Sequence, residues 1–139
     1  MATVLIVDDD NSIRAVERSA LEEAGHSVLE ARDGAEALRA LRTAERPLVA
    51  LVDLMMPGVS GFELLQSVAD DRALARRHAY VVVTANATSL PVVRALRSSF
   101  VLEGIAKPFD LDTLLDAVEH ATASLSHEID TISENADSR

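Results

Sequence analysis

The sequence predicts an α/β fold: a doubly wound, five-stranded parallel sheet with helices on both faces. Its strand candidates are short apolar runs without alternation, as in Val49-Ala50-Leu51-Val52, and such runs are typical of parallel strands covered on both faces. Segments with apolar residues at helical spacing separate these runs, so strand and helix alternate along the chain. The 139 residues, 48% of them hydrophobic and 26% charged, suit one domain with a single core.

Five strands are predicted from the apolar and β-branched runs. They cover Thr3 to Val7, His26 to Ala31, Leu48 to Val52, Tyr80 to Val83 and Phe100 to Ala106. After the third run, Pro57-Gly58 prevents the chain from continuing as a strand or a helix. The third strand therefore ends at the Asp53 carboxylate, just before a turn.

The first predicted helix begins at a cap supplied by Asn11 or Ser12 and ends at Gly25. Asp10 and Asn11 are interpreted as first-turn residues that favour the helix dipole. The apolar stripe of this helix is predicted to be Ile13, Val16, Ala20, Leu21 and Ala24.

Four more helices follow the later strands. The second opens at Asp33-Gly34 and the third covers Phe62 to Val68, whereas residues 70–78 are interpreted as the tail of the third helix and a loop. The fourth begins near Ser89 with Pro91 in its first turn, where the missing N–H does no harm. Asp110 caps the fifth helix, whose stripe is Leu111, Leu114, Leu115 and Val118.

The charge of the chain excludes some classes of partner. A net charge of −10 argues against nonspecific binding to nucleic acid, because a phosphate backbone is neutralised by Lys and Arg. The same charge suits cations or a basic protein surface. The sequence has no cysteine, which excludes disulfides and thiol chemistry, and no membrane-spanning run. We therefore predict a cytoplasmic protein that does not contact membranes.

Chemically capable side chains stand at the ends of four of the five predicted strands: Asp8 and Asp9, Asp53, Thr84 and Lys107. The carboxyl ends of parallel strands share one edge, and ligands bind there. Three carboxylates brought together repel one another unless a cation lies between them. Mg²⁺ suits such a site because it needs few protein ligands and keeps several waters.

This arrangement also suits phosphoryl chemistry. Asp53, on the middle strand, is the natural nucleophile for an aspartyl phosphate. A metal ion lowers the cost of bringing a phosphoryl group to an anionic cluster. Lys107 can pair with one phosphoryl oxygen and the Thr84 hydroxyl can donate to another, while Ala85 leaves space beside it.

Four motifs in this order resemble the receiver domain of two-component response regulators. They are Val7-Asp8-Asp9, Asp53-Leu54-Met55-Met56-Pro57-Gly58 with Gly61, Thr84-Ala85, and Lys107-Pro108-Phe109. The resemblance covers about residues 3 to 122. We therefore divide the chain into a receiver over residues 1–123 and an acidic polar tail, or an extension of the fifth helix, over residues 124–139.

The resemblance implies a fold and a function. The fold would be flavodoxin-like with strand order 2-1-3-4-5, and the Lys107-Pro108 peptide bond would be cis, as in the family. Asp53 would accept phosphate from a histidine kinase or a histidine phosphotransfer protein, and Thr84 and Lys107 would sense the phosphoryl group. Asp9, Asp53 and the Met55 backbone carbonyl would hold Mg²⁺ directly, and Asp8 would act through a bound water. Such a protein is not an enzyme beyond its self-catalysed phosphorylation and dephosphorylation.

The resemblance also indicates partners. A stand-alone switch would act on a downstream protein target without binding nucleic acid directly. Such receivers can also form a homodimer through the face of helix four, strand five and helix five. The alternative is a receiver excised from a larger hybrid kinase or multidomain regulator, with the segment from Leu125 to Ile132 leading into the missing domain.

One position departs from the family pattern. The family usually carries Tyr or Phe three residues before the strand-five lysine, and its swing couples phosphorylation to the output face. Gly104 stands at that position. We therefore predict that backbone shifts in residues 84–98 carry the response, and that Phe100, at the other end of the strand, does not replace the ring.

Two other classes of protein agree less well with these residues. Asp8, Asp10 and Ser12 give a D-x-D-x-S pattern that resembles the haloacid-dehalogenase phosphatases, with Asp8 as nucleophile. The final Thr or Val of that motif and its late acidic run are absent. A flavin carrier of the same fold would need a Ser/Thr/Gly-rich loop after the first strand, but the acidic loop from Asp8 to Asp10 repels a phosphate.

Overall fold

The structure is a computed structural model that describes residues 2–54, 56, 60–85 and 101–137; within these, the side chains of 102 and 126–137 are not described. All the strands described here form one parallel sheet with the order β2-β1-β3-β4-β5, which confirms the predicted topology. Their bounds are β1 Thr3–Val7, β2 Ser27–Ala31, β3 Val49–Asp53, β4 Ala79–Thr84 and β5 Val101–Ala106.

Adjacent residues of a strand point to opposite faces of the sheet, and both faces are covered. In β1, Leu5 joins a cluster with Leu41 of the second helix, whereas Ile6 joins a cluster with Leu21 of the first. Val118 of the last helix belongs to the second cluster. Two apolar layers therefore explain why the strands show apolar runs without alternation.

The described helices are α1 Asn11–Glu23, α2 Gly34–Thr43, α3 Gly61–Ala69, α4 Arg72–Arg77 and α5 Leu111–Asp137. The short helix α4 corrects the prediction of a loop. Asp71 caps it by accepting a hydrogen bond from the Leu74 N–H, and the Leu74 side chain is buried. A single buried leucine in a polar stretch gives no helical periodicity in the sequence, so the helix was not predicted. The helix predicted near Ser89, and Phe100, lie outside the described residues.

Helix α1 differs from the prediction in its cap and in its buried face. The Asp10 side chain caps it by accepting from the N–H groups of Ser12 and Ile13, one or two residues earlier than expected. The buried residues of α1 are Arg14, Glu17 and Leu21, while Val16 is 56% exposed and Ala24 is also exposed. The buried face of α1 is therefore rotated about the helix axis relative to the predicted stripe, and two charged residues lie on it.

The C-terminal helix α5 continues to Asp137, well past the last strand. Its buried residues, among them Leu114, Val118 and Leu125, cover one face of the sheet. The helical backbone agrees with the alternative of an extended fifth helix. The division into a receiver over 1–123 and a segment over 124–139 stays a prediction.

Candidate functional site

Strand ends bring four of the predicted side chains to the carboxyl edge of the sheet. The Lys107 Nζ atom lies 3.2 Å from Oδ2 of Asp8 and 3.6 Å from Oδ2 of Asp53. Asp8 is 2% exposed, Asp53 7% and Thr84 0%, so the three side chains are largely shielded from water. The sheet order makes this possible because β3 lies between β1 and β4, and β5 lies beside β4.

Asp9 completes an acidic cluster with Asp8 and Asp53. Each of the three residues offers one carboxylate oxygen, and these oxygens lie within 4.8 Å of one another. Asp9 is exposed, so the cluster opens to solvent on one side. Carboxylate oxygens at this spacing match the hard ligands and open coordination that Mg²⁺ prefers. Met55, whose backbone carbonyl was the other predicted ligand, lies outside the described residues, as do Pro57 and Gly58.

Lys107 provides the positive charge of the site. Burial by itself lowers the pKa of Lys107, but the carboxylates of Asp53, Asp8 and Glu17 together raise it above its ordinary value. The ammonium group is therefore charged at neutral pH. Its backbone N–H donates to the Thr84 carbonyl over 2.7 Å. The peptide bond between Lys107 and Pro108 is cis, which confirms the prediction.

The loop between β1 and α1 is held by a residue that the sequence analysis missed. Arg14 donates to the Asp8 carbonyl, to Oδ1 of Asn11 and, over 2.9 Å, to Oε1 of Glu30. The Asp8 side chain accepts a hydrogen bond from the Asp10 N–H over 2.9 Å. This bond lies inside the β1–α1 loop and stabilises its turn. The sequence does contain a signal for this role: Arg14 stands seven positions before Leu21, so the two residues share one face of the helix.

Gly61 fits the first turn of α3 against the main chain of Asp53. A Cβ atom at Gly61 would lie 2.2 Å from the Asp53 carbonyl oxygen and 2.6 Å from Cα of Leu54. Ser60 caps this helix by accepting from the Glu63 N–H. Only a glycine allows this approach, so Gly61 fixes the position of the Asp53 backbone.

A fourth carboxylate near the edge, Glu17, was also missed. It is 3% exposed, and burial, together with the negative charge of Asp8, raises its pKa to about 7. It lines a cavity of about 670 Å³ together with Lys107 and Phe109. The predicted apolar stripe included Val16, so the buried face of α1 was placed on the wrong side and Glu17 was expected to be exposed.

Comparison with known proteins agrees with this geometry. The family model of the response regulator receiver domain matches residues 4–119. The chain belongs to this family. Response regulator receivers are signalling domains, and solved receiver structures share the fold of this chain. The likeness to a haloacid-dehalogenase phosphatase is not supported, because the receiver family accounts for nearly the whole chain.

Three relatives show how this receiver compares with whole proteins. It is 32% identical to the transcriptional regulatory protein CseB of Streptomyces coelicolor over 89% of this chain and 50% of that protein. It is 31% identical to the sporulation initiation phosphotransferase F of Bacillus subtilis, over 84% of this chain and 90% of that protein. The crystal structure of the response regulator TrrA from Thermotoga maritima, in complex with Mg(2+)-BeF, matches at a TM-score of 0.74 and 25% identity. That match covers 87% of this receiver and 99% of TrrA. The receiver thus spans half of CseB but most of the phosphotransferase.

None of the helices in the described part of the receiver is both long and apolar enough to span a membrane.

Proposed function

We propose that this receiver accepts one phosphoryl group on Asp53 from a phosphohistidine donor, in a Mg²⁺-dependent reaction, and thereby switches its interactions with other proteins. The contact of Lys107 with both Asp8 and Asp53 carries the proposal, because it joins a nucleophile, an acidic cluster and a cation at one edge. A phosphoryl group on Asp53 would enter this charged pocket.

In the proposed transfer, an Asp53 carboxylate oxygen attacks the phosphorus atom of the donor. The new O–P bond forms as the N–P bond breaks, and the imidazole leaves and takes up a proton from solvent. Lys107 is close enough to turn from Asp53 to a phosphoryl oxygen, where a charge-assisted hydrogen bond is strong. The buried Thr84, at the end of the neighbouring strand, is proposed to donate its hydroxyl to another oxygen.

We propose that Asp8, Asp9, Asp53 and the Met55 carbonyl hold Mg²⁺, with Asp8 acting through a water. The oxygen spacing within 4.8 Å supports this assignment for the three carboxylates. The metal would offset negative charge on the cluster and on the phosphoryl oxygens. The Mg(2+)-BeF complex of TrrA supports the choice of ion for a related receiver.

The donor protein is proposed to be a histidine kinase or a histidine phosphotransfer protein. It must cover the edge that holds Asp53, and the cavity beside Lys107 lies at this edge. Val16 and Leu111, which line the cavity, are 56% and 44% exposed. Exposed apolar side chains beside a reactive site indicate a protein contact, so we propose that the donor packs on them.

Two arrangements of the whole protein remain candidates. The similarity to the sporulation phosphotransferase over most of its length supports a receiver that acts on a downstream protein without binding nucleic acid. The similarity to half of CseB supports a receiver that is one module of a longer regulator. In either arrangement, a homodimer through the face of the helix predicted near Ser89, β5 and α5 is part of the proposal, and β5 lies at the edge of the described sheet.

The proposal is tested by intact-mass analysis after incubation with Mg²⁺ and a small phosphodonor such as acetyl phosphate. The wild type should gain one phosphoryl group that is stable in acid and labile in base, and Asp53→Asn should gain none. The exposed Asp70→Asn removes the same charge away from the site and should behave as wild type. Modification that survives in Asp53→Asn contradicts the assignment, and a chelator should prevent the reaction in the wild type.

A further inference from the structure

A group of exposed arginines lies at the edge of the sheet opposite to Asp53. The segments 39–46 and 72–77 lead into β3 and β4, whose first residues, Val49 and Ala79, pair with each other. Both segments therefore lie at the amino edge of the sheet, whereas Asp53 is the last residue of β3. Six exposed residues of these segments form what we call the arginine patch: Arg39, Arg42, Arg46, Arg72, Arg76 and Arg77.

Hydrogen bonds join the two segments that carry the arginine patch. Arg77 donates to the carbonyl oxygen of Ala44. The ring of the buried His78 accepts from the Leu48 N–H at Nδ1 over 2.9 Å, and its Nε2 atom lies 2.9 Å from the Leu41 carbonyl oxygen. These bonds connect the end of α2, the loop before β3 and the end of α4. The backbone of the patch is therefore fixed before a partner binds, which lowers the cost of ordering it on binding.

The arginine patch is not neutralised by the fold. Among the residues that the structure describes, no carboxylate forms an ion pair with any of the six side chains. The described arginines outside the patch each pair with a glutamate: Arg14, Arg18 and Arg32. Guanidinium groups concentrated in this way repel one another unless negative charge approaches them. The patch is thus free to pair with the carboxylates of another molecule.

The arginine patch is opposite in sign to the rest of the chain. Six arginines and Glu45 give the two segments a charge of +5, so the remainder of a chain with a net charge of −10 carries −15. Asp70 and Asp71 directly precede the second segment, but the Asp71 carboxylate already caps α4. A local reversal of charge on an acidic protein gives this edge electrostatic complementarity to an acidic surface.

The charge of the whole chain limits what can bind to the patch. A nucleic acid or an anionic membrane extends beyond the patch and would meet the acidic remainder of the surface, where repulsion opposes binding. A short acidic protein segment can contact the patch alone, because charges separated by more than about 10 Å are largely screened at 0.1 M salt. A guanidinium group also binds a carboxylate through two parallel hydrogen bonds, which suits Asp and Glu side chains.

We propose that the arginine patch is a docking surface for a segment of a partner protein that is rich in Asp and Glu. The patch and Asp53 lie at opposite edges of the sheet, so the acidic segment and a phosphodonor can be bound at the same time. The inference does not depend on phosphorylation, and Asp53→Asn should bind the segment as the wild type does.

The test measures binding of two fluorescent probes by anisotropy at about 0.1 M salt: a peptide of alternating Glu and Gly, and a DNA duplex. The patch variant is Arg42→Gln with Arg76→Gln, which removes one charge from each segment and leaves the Arg77 hydrogen bond in place. The matched control is Arg18→Gln with Arg32→Gln, which removes two exposed arginines outside the patch. Urea unfolding of both double variants shows whether they remain folded.

The wild type should bind the peptide and should not bind the duplex. The patch variant should bind the peptide about three- to tenfold more weakly, as expected for the loss of two exposed charge pairs, whereas the control should match the wild type. Charge reversal by Arg42→Glu with Arg76→Glu should weaken binding further. NMR amide shifts caused by the peptide should be largest in residues 39–46 and 72–77.

Three results overturn the inference. The first is that the wild type does not bind the acidic peptide. The second is that the patch variant and the control lose the same affinity, which would mean that the peptide responds to overall charge. The third is that the duplex binds as tightly as the peptide, which would make the patch a surface for nucleic acid.

Discussion

The backbone N–H of Lys107 donates to the carbonyl oxygen of Thr84 over 2.7 Å. Thr84 is the last residue of β4 and pairs with Ala106, the last residue of the neighbouring strand β5. Lys107 directly follows Ala106 in the chain. Side chains that are both proposed to contact the phosphoryl group are therefore joined through the main chain. A movement of Thr84 can be transmitted to Lys107 without any change of side-chain conformation.

This coupling supports a response carried by the backbone. Gly104 pairs with Val82 in the sheet and has no ring that could change between exposed and buried positions. We predict that a phosphoryl mimic at Asp53 changes the NMR amide shifts or hydrogen exchange of residues 84–98 more than those of Phe100. An unchanged 84–98 segment together with an altered environment of Phe100 would show that the aromatic switch has moved to that position. Residues 86–98 and Phe100 lie outside the described residues.

Arg14 is predicted to set the metal affinity of the acidic loop. Arg14→Lys keeps the positive charge but loses the planar fork that reaches the Asp8 carbonyl, Asn11 and Glu30 together. Groups that orient metal ligands typically change affinity ten- to a hundredfold, so we expect Mg²⁺ to bind at least about tenfold more weakly by calorimetry. Arg18→Lys is the control, because Arg18 also pairs with Glu30 but does not contact the loop. Equal affinities in the two variants would contradict this role.

Gly61→Ala is predicted to disturb both stability and phosphorylation. The added methyl group would lie 2.2 Å from the Asp53 carbonyl oxygen, so α3 or the end of β3 must move. We expect urea unfolding to show a loss of about 1–3 kcal/mol, as for other overpacked sites, together with slower phosphorylation. Gln66→Ala, on the exposed side of the same helix, should change neither quantity by much. Wild-type behaviour of Gly61→Ala would show that the close approach is not required.

His78 is predicted to make the fold less stable in mild acid. Burial lowers the pKa of His78, even though its hydrogen bond to the Leu41 carbonyl opposes this change. Its Nδ1 atom accepts from the Leu48 N–H over 2.9 Å, so the ring is neutral in the fold. As the pH falls below about 6.5, the unfolded chain binds a proton at His78 that the folded protein does not, and the stability from the neutral ring is lost.

The measurement for His78 is urea unfolding at about pH 7.5 and pH 5.5, bracketing the ordinary histidine pKa. The loss of stability between the two values should be smaller in His78→Gln than in the wild type. Comparing differences removes the contributions of other groups, including Glu17, whose raised pKa acts in the opposite direction. The same pH dependence in both proteins would show that His78 is not the group responsible.

Much of the local structure could be predicted because it depends on neighbouring residues. Asp33 accepts from the Glu36 N–H, and this helix start was recognised from a short-range pattern. The short helix α4 was missed because six residues with one buried leucine give too little periodicity. The cap of α1 was displaced because three successive aspartates made the first residue of the helix ambiguous.

The residues of the site were identified from their positions at strand ends, but their contacts required the fold. A parallel sheet places every strand end at one edge, and this made Asp8, Asp53, Thr84 and Lys107 predictable as a group. Lys107 contacts both Asp8 and Asp53. These contacts depend on the order and register of the strands, which are set by pairing between segments far apart in the sequence.

The sequence by itself determined the alternation of strands and helices and which candidate reactive side chains follow the strands, since periodicity and strand-end residues are local properties. The tertiary structure decided that Arg14 and Glu17 face inward while Val16 faces solvent. The physical reason is that a helix turns as a rigid body. The orientation of α1 follows from packing Leu21 on the sheet and from the hydrogen bonds of Arg14 to the loop, so two charged residues are carried into the interior with them.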